Sequence, residues 1–284
     1  IIEKLTGRTY SNMLRFEDTG DCGESYNYIQ TNDKTALYTD AKARVKLVKN
    51  NGFSASFEIV SKIEIPTGLD GKKNRSKNTI LHEITTLVSL TAGINRIDIK
   101  TDVTNKSENH RLRVLFPACI DSKTVFADGQ FDVVSRDIKP WAGWQNPSNT
   151  QRMQAFFGME DNHGGLLVAS RGLCEYEVLR DGNNTMALTL LRAVGEVGDW
   201  GVFPTPEMQL KRELSLEYSV IPYCVPQKAS AFNAAYTFAG DFFSVFQTDR
   251  HNGNINSGVP VVETSGDFIV FSAMKRAEND DGLI

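Results

Sequence analysis

Residues 42–59 read KARVKLVKNNGFSASFEI. Ala43, Val45 and Leu47 alternate with Lys42, Arg44 and Lys46. Beyond the turn at Asn50, Asn51 and Gly52, Phe53, Ala55, Phe57 and Ile59 alternate with Ser54, Ser56 and Glu58. Successive side chains of a strand point to opposite faces, so a period of two is the mark of a half-buried strand. Two such runs around an Asn-Gly turn form a hairpin, expected to have one buried and one wetted face.

The same period continues outward. Ile97, Ile99, Thr101 and Val103 alternate with Asp98, Lys100 and Asp102, and Leu112, Val114 and Phe116 with Arg111, Arg113 and Leu115. Further strand-like runs cover 79–90, 165–169, 175–179, 186–191, 214–221 and 267–273, with turn pairs such as Asp70-Gly71, Asp128-Gly129 and Asp181-Gly182 between them. Helix is scarce. Residues 206–213 suit two turns with Pro206 first, and 229–239 suit three. The reading is all-β: a large antiparallel sandwich with a few short helices, continuous over 1–284.

Composition agrees. The 284 residues carry 31 Lys and Arg against 35 Asp and Glu, with 40% hydrophobic and 23% charged residues, as in ordinary soluble domains. A net charge of −4 suits neither nucleic acid nor an anionic membrane surface, and no apolar run is long enough to cross a bilayer as a helix. The four cysteines lie at least 50 positions apart, far from zinc-type spacing. With no leader-like start, a cytoplasmic setting is expected. The chain opens on Ile1 and stops within an apolar run at 280–284, which reads as a piece of something longer.

Chemistry-bearing motifs are few. His82, His110, His163 and His251 form no HxD, HExxH or HxH, and His82 reads as a structural residue within a strand. No GxSxG, P-loop or GxGxxG occurs. The unusual segment is 16–28, FEDTGDCGESYNY, with four carboxylates, two glycines and two tyrosines. Gly20 and Gly23 allow tight turns, while Asp21, Glu24 and Tyr26 can exchange hydrogen bonds with sugar hydroxyls; an acidic solvated loop is the alternative. Arg192 ends a strand-like run before the Gly-rich stretch 195–201, where it can fork onto a ligand oxygen or pair with Asp199. Trp141 and Trp144 share a long Pro- and Asn-containing loop, either as exposed platforms or packed on the sheet.

Five segments in order, FEDTGDCGESYNY, NHRLRVLFP (109–117), ADGQFDVVSRDIKPW (127–141), GLCEYEV (172–178) and TLLRAVGEVGDWGVFPTPE (189–207), resemble the C-terminal region of bacterial α-mannosidases of glycoside hydrolase family 38, including the mannosylglycerate hydrolase type. The closing VFSAMKRAENDDGLI (270–284) is similar to the family's penultimate strand, with a last strand expected after 284. The resemblance implies a galactose-mutarotase-like β-sandwich. It also implies a retaining, zinc-dependent exo-α-mannosidase whose catalytic α/β domain and helical bundle lie upstream of residue 1. On that basis this chain supplies no catalytic residue and no zinc ligand. It packs on its own catalytic domain, and a homo-oligomer of the full enzyme stays open. Gly23-Glu24-Ser25-Tyr26 matches the family's Gly-x-x-Tyr turn, which brings a Tyr to the sugar, and Arg192 matches an Arg near that site. Other readings are a stand-alone carbohydrate-binding module using Trp141 and Trp144, and an aldose mutarotase.

Overall fold

The structure, a computed structural model, describes residues 1–39, 42–71, 73–144, 148–198 and 203–240, and within the last stretch 246, 248, 260, 262–266, 269, 271 and 273–283. Strands β1 (Arg15–Gly20) and β2 (Ala36–Tyr38) flank the acidic segment. The quoted hairpin is β3 (Arg44–Asn50) and β4 (Ser54–Pro66), followed by a small ribbon of β5 (Leu69–Asp70) and β6 (Asn74–Arg75). Strands β7 (Thr79–Thr91), β8 (Ile97–Thr104), β9 (His110–Pro117), β10 (Thr124–Asp128), β11 (Val133–Asp137) and β12 (Gln151–Arg152) follow. Then come β13 (Phe156–Asp161), β14 (Gly164–Ser170), β15 (Glu175–Leu179), β16 (Thr185–Ala193) and β17 (Glu213–Cys224). Of the two expected helices, α1 forms at Lys228–Ala239, whereas 206–213 gives only a 3-10 turn at Pro206–Gln209, which ends at left-handed Leu210 before β17 begins at Glu213. The strand-like run at 267–273 lies largely outside the described residues.

Two antiparallel sheets face each other. One has six strands in the order β12-β15-β16-β9-β1-β2, the other nine in the order β11-β10-β13-β14-β17-β8-β7-β4-β3. Phe16, Leu112, Val114, Phe116 and Leu188 from the first sheet meet Ile65, Ile84, Phe157, Val168 and Tyr218 from the second in one core, the all-β sandwich read from the alternation. Helix α1 covers the outer face of the nine-stranded sheet, setting Ala231, Ala235 and Phe238 on Phe156, Leu167, Ala169 and Ile221. Their spacing of four and three residues puts one side of the helix on the sheet. Strand β14 is thus buried on both faces, which is why its sequence is an unbroken apolar run.

Two further expectations need correction. The hairpin β3–β4 does not have one buried and one wetted face as read. Every residue of β3 is exposed, Phe57 is 44% exposed on the apolar side, and Ser54 and Ser56 are buried. Nine strands overreach six, so the apolar side of β3 and the start of β4 has no opposing sheet. Conversely, β9 has no wetted face: Arg111 and Arg113 are 3% and 4% exposed, because it runs at the centre of the smaller sheet beneath the acidic loop. Residues Ile1–Gly240 form one compact unit and Asp241–Ile284 another. In the second, Arg276 and Leu283 form an isolated bridge.

Candidate functional site

The acidic segment folds as a loop over residues 21–35, between β1 and β2. Asp21, fully buried, organises its base. One carboxylate oxygen accepts from the amides of Gly23 at 2.9 Å and Ile29 at 3.2 Å. The other accepts from Arg192, with Nε at 2.9 Å and Nη2 at 2.8 Å. Arg192 Nη2 also donates to the Glu24 carbonyl at 3.0 Å. One guanidinium thus ties both arms of the turn to the end of β16. The alternative partner, Asp199, lies outside the described residues.

Glu24 holds the tip. Its carboxylate accepts from the Tyr26 amide at 2.6 Å and the Asn27 side chain at 2.7 Å. Burial opposes ionisation of Glu24, but these hydrogen bonds prevail and hold its carboxyl below the usual carboxylate range. Gly23 is required by space: a Cβ there would come within 2.0 Å of the Asn27 carbonyl oxygen. Tyr26 at the apex is 69% exposed, more than Ile29 at 50%. Of the four residues singled out in the sequence, Asp21, Glu24 and Arg192 are brought into one hydrogen-bonded frame, and Tyr26 is what the frame presents.

Beneath the loop, the outer face of the smaller sheet carries a buried charge layer that sequence reading took for a wetted face. Arg113 Nε donates to Glu17 at 2.8 Å, its Nη2 makes a second, shorter contact with the same carboxylate, and its Nη1 donates to Glu177 at 2.5 Å. Burial alone would lower its pKa, but these two carboxylates hold it above the ordinary arginine value. Arg111 has a thinner set of partners. Nη1 donates to Thr150 at 3.3 Å, Glu177 lies 4.0 Å away, and buried Nε has no partner among the described residues. Burial, with Arg113 beside it, pushes the Arg111 pKa down. Tyr28 covers this guanidinium, ring centroid 3.5 Å from Cζ, a cation–π contact that closes the layer from above. The Thr150 contact also ties the Trp loop to this face; Trp141 and Trp144 are both exposed.

A second polar cluster sits inside the sandwich. Asp18 pairs with Arg75 and lies 2.5 Å from His110 Nδ1, while His110 Nε2 is 2.9 Å from Asn105 Oδ1. His82, whose Nδ1 lies 3.0 Å from the Ile80 carbonyl and whose Nε2 accepts from the Lys106 amide at 3.1 Å, is buried, and burial lowers its pKa. No sequence signal marks the Asp18–His110 pair, whose members are 92 positions apart. Neither histidine opens to solvent as a mutarotase acid must. Among the described residues no three His, Cys, Asp or Glu converge in a way that could hold a metal. These residues do not fit a zinc site, and no chemical step is assigned to one within this chain.

Comparison with known proteins follows the same lines. Residues 1–197 match the model for the glycosyl hydrolases family 38 C-terminal domain. A curated protein of Halalkalibacterium halodurans named "Putative mannosylglycerate hydrolase" is 30% identical over the whole of this chain, which spans 33% of that protein. The crystal structure of an alpha-mannosidase from Enterococcus faecalis V583 superposes with a TM-score of 0.90 at 32% identity, covering 99% of this chain and 34% of its own. A second structure, of a glycosyl hydrolase family 38 protein from Enterococcus faecalis, gives 0.83 at 30% identity, with 99% and 35% covered. The chain therefore spans about a third of the length of the relatives it matches.

Proposed function

Because the chain belongs to the family of glycosyl hydrolase family 38 C-terminal domains, we propose that it is the non-catalytic β domain of a retaining, zinc-dependent exo-α-mannosidase. The parent enzyme would remove terminal α-mannosyl units, from mannosylglycerate or a short oligosaccharide. Retaining chemistry needs two carboxyl groups, one as nucleophile and one as acid and then base. Both, with the zinc, are assigned to the other two thirds of the parent, on which this domain packs in the cytoplasm. This chain contributes the Tyr26 loop. The supporting observation is that Asp21, Glu24 and Arg192 are spent on each other and on the loop backbone, leaving the Tyr26 hydroxyl exposed as a positioned donor toward a sugar oxygen. Asp21, Glu24 and Arg192 serve the substrate by holding that hydroxyl in place.

The test is Tyr26→Phe in the full-length parent. A neutral hydrogen bond is worth about 0.5–1.5 kcal/mol, and more when its loss strands a buried partner, so kcat/KM should fall about three- to thirtyfold. Because Tyr26 is mostly in water, the melting temperature should not move. Unchanged kinetics would retire the role of Tyr26. The exposed Trp141 and Trp144 support a second reading, a sugar-binding surface on this domain alone. Titration of the 284-residue chain with mannose and mannobiose decides it, and no binding at millimolar sugar removes it.

A further inference from the structure

The nine-stranded sheet carries an open apolar hollow where it outruns the smaller sheet. Its volume is about 340 Å³, and its lining is apolar throughout: Val45, Phe57, Ile59 and Val88 on the sheet side, Met13 and Leu14 opposite. Val45, Leu47 and Phe57 are 59%, 48% and 44% exposed. They belong to β3 and β4, and β3 ends the sheet with one edge unpaired among the described residues. A second hollow of about 620 Å³ adjoins it through Ile1 and Ile97, and brings Phe53, Leu90 and Ile94 to the same end of the molecule. The first hollow is apolar throughout, while Glu3, Lys4, Asn95 and Arg96 are among the lining of the second. An apolar hollow and edge left in water mark an interface, since soluble monomers seldom expose such a patch.

We propose that this face is the seat of the remaining part of the parent polypeptide, which inserts an apolar ridge into the hollow between β3–β4 and the Met13–Leu14 segment. Two observations select that occupant. The relatives that match the whole of this chain are about three times as long, and the family model is that of a C-terminal domain. Charge adds a further requirement. Arg44, Lys46 and Lys49 are exposed on the other side of β3, so the ridge should be flanked by carboxylates where it passes this edge. The proposal rests on this chain being one part of a longer polypeptide, not on the role of Tyr26, so either can fail without the other.

The experiment places Val45→Glu and Phe57→Glu in the full-length parent, with Leu87→Glu as control. Leu87 is also partly exposed but lies on the opposite face, since it pairs with Glu58 while Phe57 pairs with Val88. The groove variants should lower the parent's melting temperature by about 5 °C or more, while Leu87→Glu leaves it nearly unchanged. In the separate 284-residue chain all three should be nearly silent, because these side chains already face water. An unchanged parent overturns the proposal, and so does an equal loss in the separate chain, which would make the hollow part of its own core. A separate chain that is dimeric by light scattering, and monomeric with Phe57→Glu, assigns the face to a second copy and also overturns it. Should the separate chain not fold, hydrogen exchange in the parent decides. Slow exchange along β3 and β4 that Phe57→Glu accelerates supports the proposal, and fast exchange in the wild type overturns it.

Discussion

At the scale of single residues, the acidic loop turns its own charges inward. A segment with four carboxylates in thirteen residues looks like a surface for ligands, yet Glu17 and Asp18 lie in β1, and Asp21 and Glu24 are buried and used as staples for backbone N–H groups. This predicts a defined response to acid. The Glu24 carboxyl lies below its ordinary value of 4.5 in the folded loop, so its contribution is complete above that value. It is lost as pH falls through the lower, folded value. The Tyr26 amide, held by Glu24, should stay protected from exchange between neutral pH and about pH 5 and lose protection in stronger acid. In Glu24→Gln that pH dependence should vanish. Amide exchange read by NMR or mass spectrometry checks both. The motif was legible in sequence, since only certain residues can build so tight a turn. Tyr26 reads as the member the loop presents, and it is exposed. That Asp21 and Glu24 turn inward was not legible, because it depends on Arg192, which arrives from another strand.

Among the elements, β9 shows where alternation misleads. Leu112, Val114 and Phe116 point into the core as the period of two requires, but the alternate positions are not wetted. Arg111 and Arg113 lie under Tyr28 and between Glu17 and Glu177. A period-two pattern reports that two faces differ in polarity, not that the polar one meets water. The correction carries an energetic forecast. Arg113→Met would leave Glu17 buried and Glu177 half-buried without their shared cation, a loss of the kind that costs about 3–5 kcal/mol. Denaturant unfolding should show it as a lower midpoint with an unchanged slope. A loss below about 1 kcal/mol would mean that water reaches this layer. Helix α1 is the opposite case. Its extent was readable almost to the residue despite its aromatic content, because Ala231, Ala235 and Phe238 recur on one side. In β3 and β4 the alternation was read correctly and the burial was not, since no local pattern tells how far the opposite sheet extends.

For the whole molecule, the division of labour is the main point. The described residues build two large sheets, a small ribbon, a covering helix and a loop frame, and among them no three His, Cys, Asp or Glu converge to hold a metal. The purified 284-residue chain should therefore leave p-nitrophenyl-α-mannoside intact and carry no stoichiometric zinc. A turnover assay and metal analysis check this, and turnover abolished by a chelator would show that the catalytic groups lie within this chain after all. Composition and alternation were enough to establish the all-β architecture at this scale. The partnership with a larger polypeptide rested on ordered motifs, because nothing in hydropathy distinguishes a domain that works alone from one that works as part of another.

The bond between Arg192 and Asp21 joins positions 171 apart, and this bears on the order in which the molecule assembles. A contact so distant in sequence closes only after the intervening chain has been made and its strands have docked, and such closures are slow. On the ribosome β1 is complete early, but Asp21 and the Glu24 carbonyl have no guanidinium to hold them until β16 has emerged and paired with β9. The Tyr26 apex is thus among the last features of this unit to become ordered during synthesis. A nascent chain that stalls before residue 192 would hold β9, β1 and β2 paired, with the tip of the loop still unfastened from β16.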